Sequence, residues 1–270
     1  MPDKKYAVRS KSHLVVQANA LVTQYTRDMT VNQLKLFYFL IGTVQKDDAV
    51  LYQIDVDYMT LYRVISVDYY HSGKKQYMDK LIADTVKSTL TPVGGSYSAS
   101  GRSEALNWLK LIKTYCRSGK WFVRVEIEEW LRDFLLEQKQ MFTAFQFGEV
   151  AKLKGLNALK LYPLFCSFRW KGSAVLSLED LKVLLGKGQN SCSYKEFSRS
   201  VLLPAISEIS EKTGLSVTVE PLKNQADRRR VSALFFTVKA DDSTTKSPPP
   251  KVKVLVIQDR GVCVRRIRAA

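Results

Sequence analysis

The sequence predicts an α+β protein made of two consecutive units, each with short helices followed by a β-hairpin. Its 270 residues exceed one ordinary domain of about 150. Hydrophobic residues make up 46% of the chain and aromatic residues 11%, which is enough apolar surface for folded cores. The same order of helical and strand patterns appears twice, and it is the order of a winged helix-turn-helix. We therefore expect two tandem winged helix-turn-helix domains.

The first unit is predicted over residues 15–138, after a basic leader at residues 1–14. Thr30 and Gln33 form a capping-box pattern, and apolar residues then recur at helical spacing over Leu34–Ile41, which predicts a helix. The other predicted elements are a short helix Val15–Tyr25, a strand Val50–Ile54, helices Asp55–Ile65 and Lys74–Leu90, and a hairpin of Ala105–Cys116 and Lys120–Ile127. The turn Arg117-Ser118-Gly119 is predicted to join the two strands of this hairpin.

The second unit is predicted over residues 139–240 and repeats this order. Its helix Tyr194–Lys212 stops before Gly214, and a second hairpin follows it. The other predicted elements are strands Phe142–Phe147 and Ala174–Leu176, helix Leu156–Trp170, helix Leu178–Leu185 capped by Ser177, and hairpin strands Leu215–Glu220 and Val231–Lys239. Residues 241–270 are predicted to be a Pro- and Ser-rich linker and a basic tail.

The charge balance indicates a polyanionic partner. The chain has 42 basic and 26 acidic residues, a net charge of +16. Residues 1–138 contain 19 basic and 15 acidic residues, whereas residues 139–240 contain 16 and 8. The second unit is therefore expected to be the main DNA reader.

The sequence shows no pattern of catalytic or metal-binding residues. Its two histidines, His13 and His71, lie far apart, and Gly186-Lys187 lacks the flanking residues of a phosphate-binding loop. The four cysteines are widely scattered, and neither a secretory signal nor an apolar run of membrane length is present. We expect a cytoplasmic protein with no enzymatic activity, cofactor, metal or membrane contact.

Candidate DNA contacts lie on the last helix and the hairpin wing of each unit. An α-helix fits the major groove, where Arg and Lys can bind guanine, and wings contact flanking phosphates. The alternative for any one of these residues is a solvated surface position. In the second unit, the predicted contacts are Lys195, Ser198 and Arg199 on the last helix and Lys223, Arg228, Arg229 and Arg230 on the wing. In the first unit, they are Lys74, Lys75, Lys80 and Lys87 on the last helix.

The first hairpin is rich in aromatic residues, which suggests a surface for self-association. Trp108, Tyr115, Trp121 and Phe122 could form an apolar strand edge or face in the less basic unit. The alternative is that these side chains fill the first core.

The chain resembles the iteron-binding replication initiator (Rep) proteins of bacterial plasmids over about residues 15–239. The motifs that carry this resemblance are Val16–Leu21, Leu34–Ile41, Phe142–Phe147, Ala158–Tyr162, Leu202–Ile209 and Val231–Val238. The resemblance implies two winged-helix domains and double-stranded origin DNA with repeated sites, called iterons, as the ligand. It also implies that monomers initiate replication, and that dimers, paired mainly through the first unit, repress their own gene or block initiation. The partners that it implies are a host initiator, a replicative helicase and chaperones.

Two other functions stay open at this point. A transcriptional repressor could use the same fold, and a dimeric repressor would favour one inverted repeat over direct repeats. A nicking enzyme or relaxase is the third alternative, although the sequence shows no metal-binding histidine pattern for it.

Overall fold

A computed structural model describes the chain over residues 14–22, 29–44, 53–65, 74–90, 105–136, 142–187, 193–223 and 230–240. The leader before residue 14, the tail after residue 240 and the predicted boundary at residue 138 lie outside the described residues.

The first unit contains the hairpin and three of the four predicted helices, with shifted ends. The helix α2 (Val31–Ile41) is confirmed, because Thr30 and Gln33 form both hydrogen bonds of a capping box. The next helix starts three residues later than predicted, where Asp57 accepts a hydrogen bond from the Thr60 N–H and caps it. The elements are β1 (Leu14–Ala18), α1 (Asn19–Val22), α2 (Val31–Ile41), β2 (Ile54–Asp57), α3 (Tyr58–Val64), α4 (Lys74–Lys87), β3 (Thr89–Leu90), β4 (Leu106–Asn107), β5 (Leu109–Arg117) and β6 (Lys120–Ile127).

The predicted helix Val15–Tyr25 is wrong. Residues 14–18 form the strand β1, in which Val15 and Gln17 are buried and their neighbours are more exposed. This alternation is typical of a strand, and helix starts only at Asn19. The strand is stable because it pairs with a distant partner, described below.

The tight turn of the first hairpin is confirmed. Ser118 and Gly119 have φ of 50° and 71°, both in the left-handed region. Two consecutive positive φ angles match the right-handed twist of the flanking strands, and glycine occupies the second position without steric cost. The turn pairs β5 with β6, so that Arg117 lies opposite Lys120.

The second unit repeats the first. A 3₁₀ turn (Glu129–Leu131) and α5 (Arg132–Leu135) precede it. Its elements are β7 (Phe142–Gln146), α6 (Phe147–Lys152), α7 (Leu156–Phe168), β8 (Ser173–Ser177), α8 (Leu178–Leu184), α9 (Tyr194–Phe197), a π-helical turn (Ser198–Leu202), α10 (Leu203–Lys212), β9 (Leu215–Lys223) and β10 (Val231–Ala240).

The two three-stranded sheets have the same topology. In the first, β6 lies between β2 and β5, and in the second, β10 lies between β8 and β9. In both, the strand before the last two helices pairs with the final strand of the hairpin. The protein therefore consists of two tandem winged-helix domains, as predicted.

The two units also share a packed core. β1 pairs antiparallel with β7 along five residues, from Leu14 opposite Gln146 to Ala18 opposite Phe142. Helix α2 packs against this sheet, where Tyr38 contacts the Phe145 ring edge to face and donates a hydrogen bond to the Leu159 carbonyl. An element at the start of the chain thus covers elements that follow the predicted boundary.

Candidate nucleic-acid interface

The last helix of the second unit runs from Tyr194 to Lys212 through α9, the π-helical turn and α10, and we call it the reading helix. Ser193 caps it by accepting a hydrogen bond from the Glu196 N–H at 3.2 Å. Phe197 and Val201 lie four residues apart on one side of the helix, and both are buried and anchor the helix on the core. The opposite face of its first turns is consequently presented to solvent.

A π-helical turn interrupts the reading helix at Ser198–Leu202. Pro204 lies two residues after this turn and has no N–H to donate to the residues before it. The Leu203 N–H donates to the Ser198 carbonyl, five residues back, and the Ser200 hydroxyl donates to the Glu196 carbonyl at 2.7 Å. The extra residue in this turn rotates the faces of the helix relative to a regular α-helix.

The predicted contacts on the reading helix differ in their exposure. Lys195 and Arg199 are exposed, and neither forms an ion pair with another described residue. Ser198, predicted on the outer face, is half-buried beside the packed face, and its contact with DNA stays a prediction. Ser200 and Leu203, which the sequence analysis missed, are exposed beside Arg199. Pro204 was the signal that could have revealed the irregular turn.

Only the base of the second unit's wing lies within the residues that the structure describes. Lys223 ends β9 opposite Val231, and both Lys223 and Arg230 are exposed. Arg228 and Arg229 lie outside the described residues. Cations therefore lie at the end of the hairpin, where a wing would contact flanking phosphates.

On the first unit, the helix α4 presents a mixed face. Lys80 and Lys87 are exposed and lie two turns apart, on one side of the helix. Lys75 is also exposed, but its ammonium group binds Asp79 at 2.7 Å and lies 4.2 Å from the centre of the Trp121 ring. These contacts tie Lys75 to the hairpin and partly neutralise its charge. The structure describes the backbone of Lys74 but not its side chain.

The outer face of the first hairpin carries cations around an aromatic pair. Tyr115 and Phe122 stack at 5.5 Å between ring centres, and Lys113 lies over the Tyr115 ring. Arg124 forms a two-pronged ion pair with Asp55, whose hydrogen bonds with Arg124 keep the pKa of this carboxyl below its usual range. Sequence analysis missed this arrangement because the pairing of β2 with β6 is not local.

Trp108 does not belong to this aromatic face. It is fully buried, contacts the Phe37 ring edge to face and donates a hydrogen bond to the Ser88 hydroxyl. The suggestion that it supplies a self-association surface is wrong, since the residue fills the first core. Trp121 is 38% exposed beside Lys75.

Neither a metal-binding cluster nor a membrane helix is found within the described ranges. No three His, Cys, Asp or Glu side chains there are grouped so that they could hold a metal ion. No helix in the same part of the chain is long and apolar enough to cross a bilayer. Both histidines, His13 and His71, lie outside the described residues.

Comparison with known proteins relates the chain to replication initiators. The fold matches the Pi initiator protein, solved in complex with iteron DNA, at 16% identity and a TM-score of 0.65, covering 86% of this chain and 99% of that one. None of the curated protein sequences matches. A family model described as "Initiator Replication protein, WH1" matches residues 14–166, and one described as "Initiator Rep protein, WH2" matches residues 177–238. The chain therefore belongs to the initiator replication protein family.

Proposed function

We propose that the chain initiates plasmid replication by binding iterons in double-stranded origin DNA and helping to open the origin. The observation that carries this proposal is the pair of tandem winged-helix domains, each with exposed cations on its last helix, in a member of the initiator family. Opening follows from binding energy, because several bound chains that bend adjacent repeats favour melting of a nearby AT-rich stretch.

The remaining parts of the proposal concern partners and regulation. We propose that monomers bind iterons, that dimers formed mainly through the first unit repress the initiator gene, and that the chain acts in the bacterial cytoplasm without enzymatic activity. The host initiator, the replicative helicase and chaperones are the partners that the family resemblance suggests.

Selection of bound duplexes from a random pool tests the proposal. We expect the full chain to enrich direct repeats, each protected as a separate site in a footprint. Enrichment of one inverted repeat would favour the repressor function instead, since a two-fold dimer binds two-fold sites. A strand-cleavage assay with divalent metal tests for a nicking enzyme, and cut DNA would contradict the absence of catalysis.

We expect Arg199→Ala to weaken binding to the selected duplex by about 1–3 kcal/mol and to relax preference at one base position. Its guanidinium is exposed on the reading helix and can bind a guanine edge. Titration of single-base variants of the duplex measures the effect. Lys239→Ala, on an exposed residue near the far end of β10, is the control. Equal loss on selected and random DNA would reassign Arg199 to a phosphate contact.

Replacing Arg228 and Arg229 together by alanine should weaken binding to every duplex and reduce its salt dependence. For each phosphate that an arginine no longer neutralises, the slope of log affinity against log salt falls by about 0.9. Affinity measured over a salt series gives this slope directly. The double variant Lys171→Ala and Lys239→Ala removes the same charge at the other end of the sheet, and its slope should equal that of the wild type. An unchanged slope in the arginine variant would show a solvated turn.

A further inference from the structure

The second half of the reading helix binds the start of helix α7. Glu208 accepts hydrogen bonds from the N–H groups of Lys154, at 2.7 Å, and Gly155, at 3.0 Å. These two residues immediately precede α7 and belong to the segment matched by the first family model, whereas Glu208 belongs to the second. The contact therefore joins the reading helix to a helix that packs against the first unit.

This contact is tight and charged. The Lys212 ammonium group binds the same carboxylate at 2.6 Å. Burial raises the pKa of Glu208, but the hydrogen bonds from Lys212 and from the two backbone N–H groups outweigh it and keep the pKa below its usual range. A Cβ atom added at Gly155 would lie 2.5 Å from the Glu208 Oε2 atom, so the carboxylate occupies the space of a side chain there.

A buried lysine from the first unit completes the cluster. Lys35 on α2 is only 3% exposed, and its ammonium group donates a hydrogen bond to the Ala151 carbonyl at 3.0 Å. Burial lowers the pKa of Lys35, while the negative charge of Glu208 acts in the opposite direction. We use the term joint for Lys35, Lys154, Gly155, Glu208 and Lys212, which link α2, the α6–α7 connection and α10.

We propose that Glu208 is a positioning residue that fixes the angle between the reading helix and the first unit. This inference rests on the proposed function, because the angle matters when both units bind one duplex. One inserted base pair moves a contact by about 3.4 Å along the duplex and rotates it by about 35°. A rigid joint therefore requires one spacing between the two segments of DNA that the units contact.

Spacing dependence is the readout that separates positioning from a general loss of stability. The probe is the duplex selected by the wild-type chain, with one base pair inserted between the segments that the two units protect. We expect the insertion to weaken wild-type binding by about tenfold or more, because both units can no longer engage together. Glu208→Gln should show a clearly smaller penalty, since its amide NH₂ group cannot accept from one of the two backbone donors.

Two further variants sharpen this comparison. Gly155→Ala alters the joint from the α7 side at a backbone angle that alanine adopts freely, and should also reduce the penalty. Glu211→Gln is the matched control, because Glu211 is exposed, one turn from Glu208, and accepts its hydrogen bond from Ser207 on the same helix. It should keep the wild-type penalty. A full penalty in either folded joint variant would overturn the proposal.

A distance measurement tests the joint without DNA, so that failure of the proposed function stays distinguishable. Spin labels at positions 87 and 195, in a chain whose native cysteines are replaced, report the separation of the last helices of the two units. We expect a narrow distribution of distances in the Glu211→Gln chain and a broader one in Glu208→Gln and Gly155→Ala. The same narrow distribution in all three would overturn the role of Glu208, whether or not a preferred duplex is found.

Discussion

Replacing Trp108 by alanine should lower the free energy of unfolding by about 3–5 kcal/mol. The indole is fully buried, and its ring centre lies 4.9 Å from that of Phe37 at an interplanar angle of 83°. Its N–H also donates to the Ser88 hydroxyl at 2.9 Å. Truncation removes this packing and leaves a cavity between α2 and the hairpin that the surrounding helices can fill only in part.

Urea unfolding followed by circular dichroism measures the change in stability. Trp170→Ala is the control, because Trp170 is 49% exposed and its substitution should change stability by less than about 0.5 kcal/mol. A decrease below about 1 kcal/mol for Trp108→Ala would show that the first core does not depend on this side chain.

Sequence predicts those parts of the fold that depend on neighbouring residues. The capping box of α2, the Ser177 cap of α8 and the Ser118-Gly119 turn are all local hydrogen-bonding or backbone preferences, and all three are confirmed. The pattern of residues 14–18 does not distinguish a strand from a helix, because apolar residues there recur both two residues apart, as in a strand, and three or four residues apart, as in a helix. The partner of β1, strand β7, lies more than 120 residues away, and no local pattern encodes that pairing.

In the candidate interface too, the features that depend on neighbouring residues are predictable from the sequence, and those that depend on distant residues are not. The exposure of Lys195 and Arg199 follows from the burial of Phe197, which a helical pattern predicts. The half-burial of Ser198 follows from the same pattern, because Ser198 directly follows Phe197 and lies three residues before the buried Val201. The engagement of Lys75 with Trp121 depends on how the hairpin packs on α4, which residue spacing alone does not determine.

A fragment limited to residues 139–240 should fail to unfold cooperatively. It retains β7, α6 and α7 but lacks their cover from the first unit. The fragment has no β1 to pair with β7, and it lacks the rings of Tyr38 and Phe39 that pack on Phe145 and Phe147. The hydrogen bonds that Tyr38 and Lys35 donate to backbone carbonyls of the second unit are absent as well.

Removing the first unit exposes apolar side chains of the fragment to water, because nothing replaces the residues of β1 and α2 that cover them. Phe145 and Phe147 are buried in the whole chain, and each fully buried side chain of this size contributes about 1.5–3 kcal/mol. Losing these contributions together would remove a large part of the free energy of unfolding of a small domain, which is about 5–15 kcal/mol. We therefore expect the fragment to bind a hydrophobic dye and to show a broad urea transition.

A chain of residues 14–240 is the control, and it should show one sharp transition without dye binding because β1 and α2 are present. The comparison also decides where the structural division of the protein lies. A sharp transition in the 139–240 fragment would show an autonomous second unit and support the boundary predicted after residue 138. A broad transition would mean that α2 and β1 stabilise both units, so that a substitution such as Phe145→Ala should lower the stability of the first winged helix together with the second.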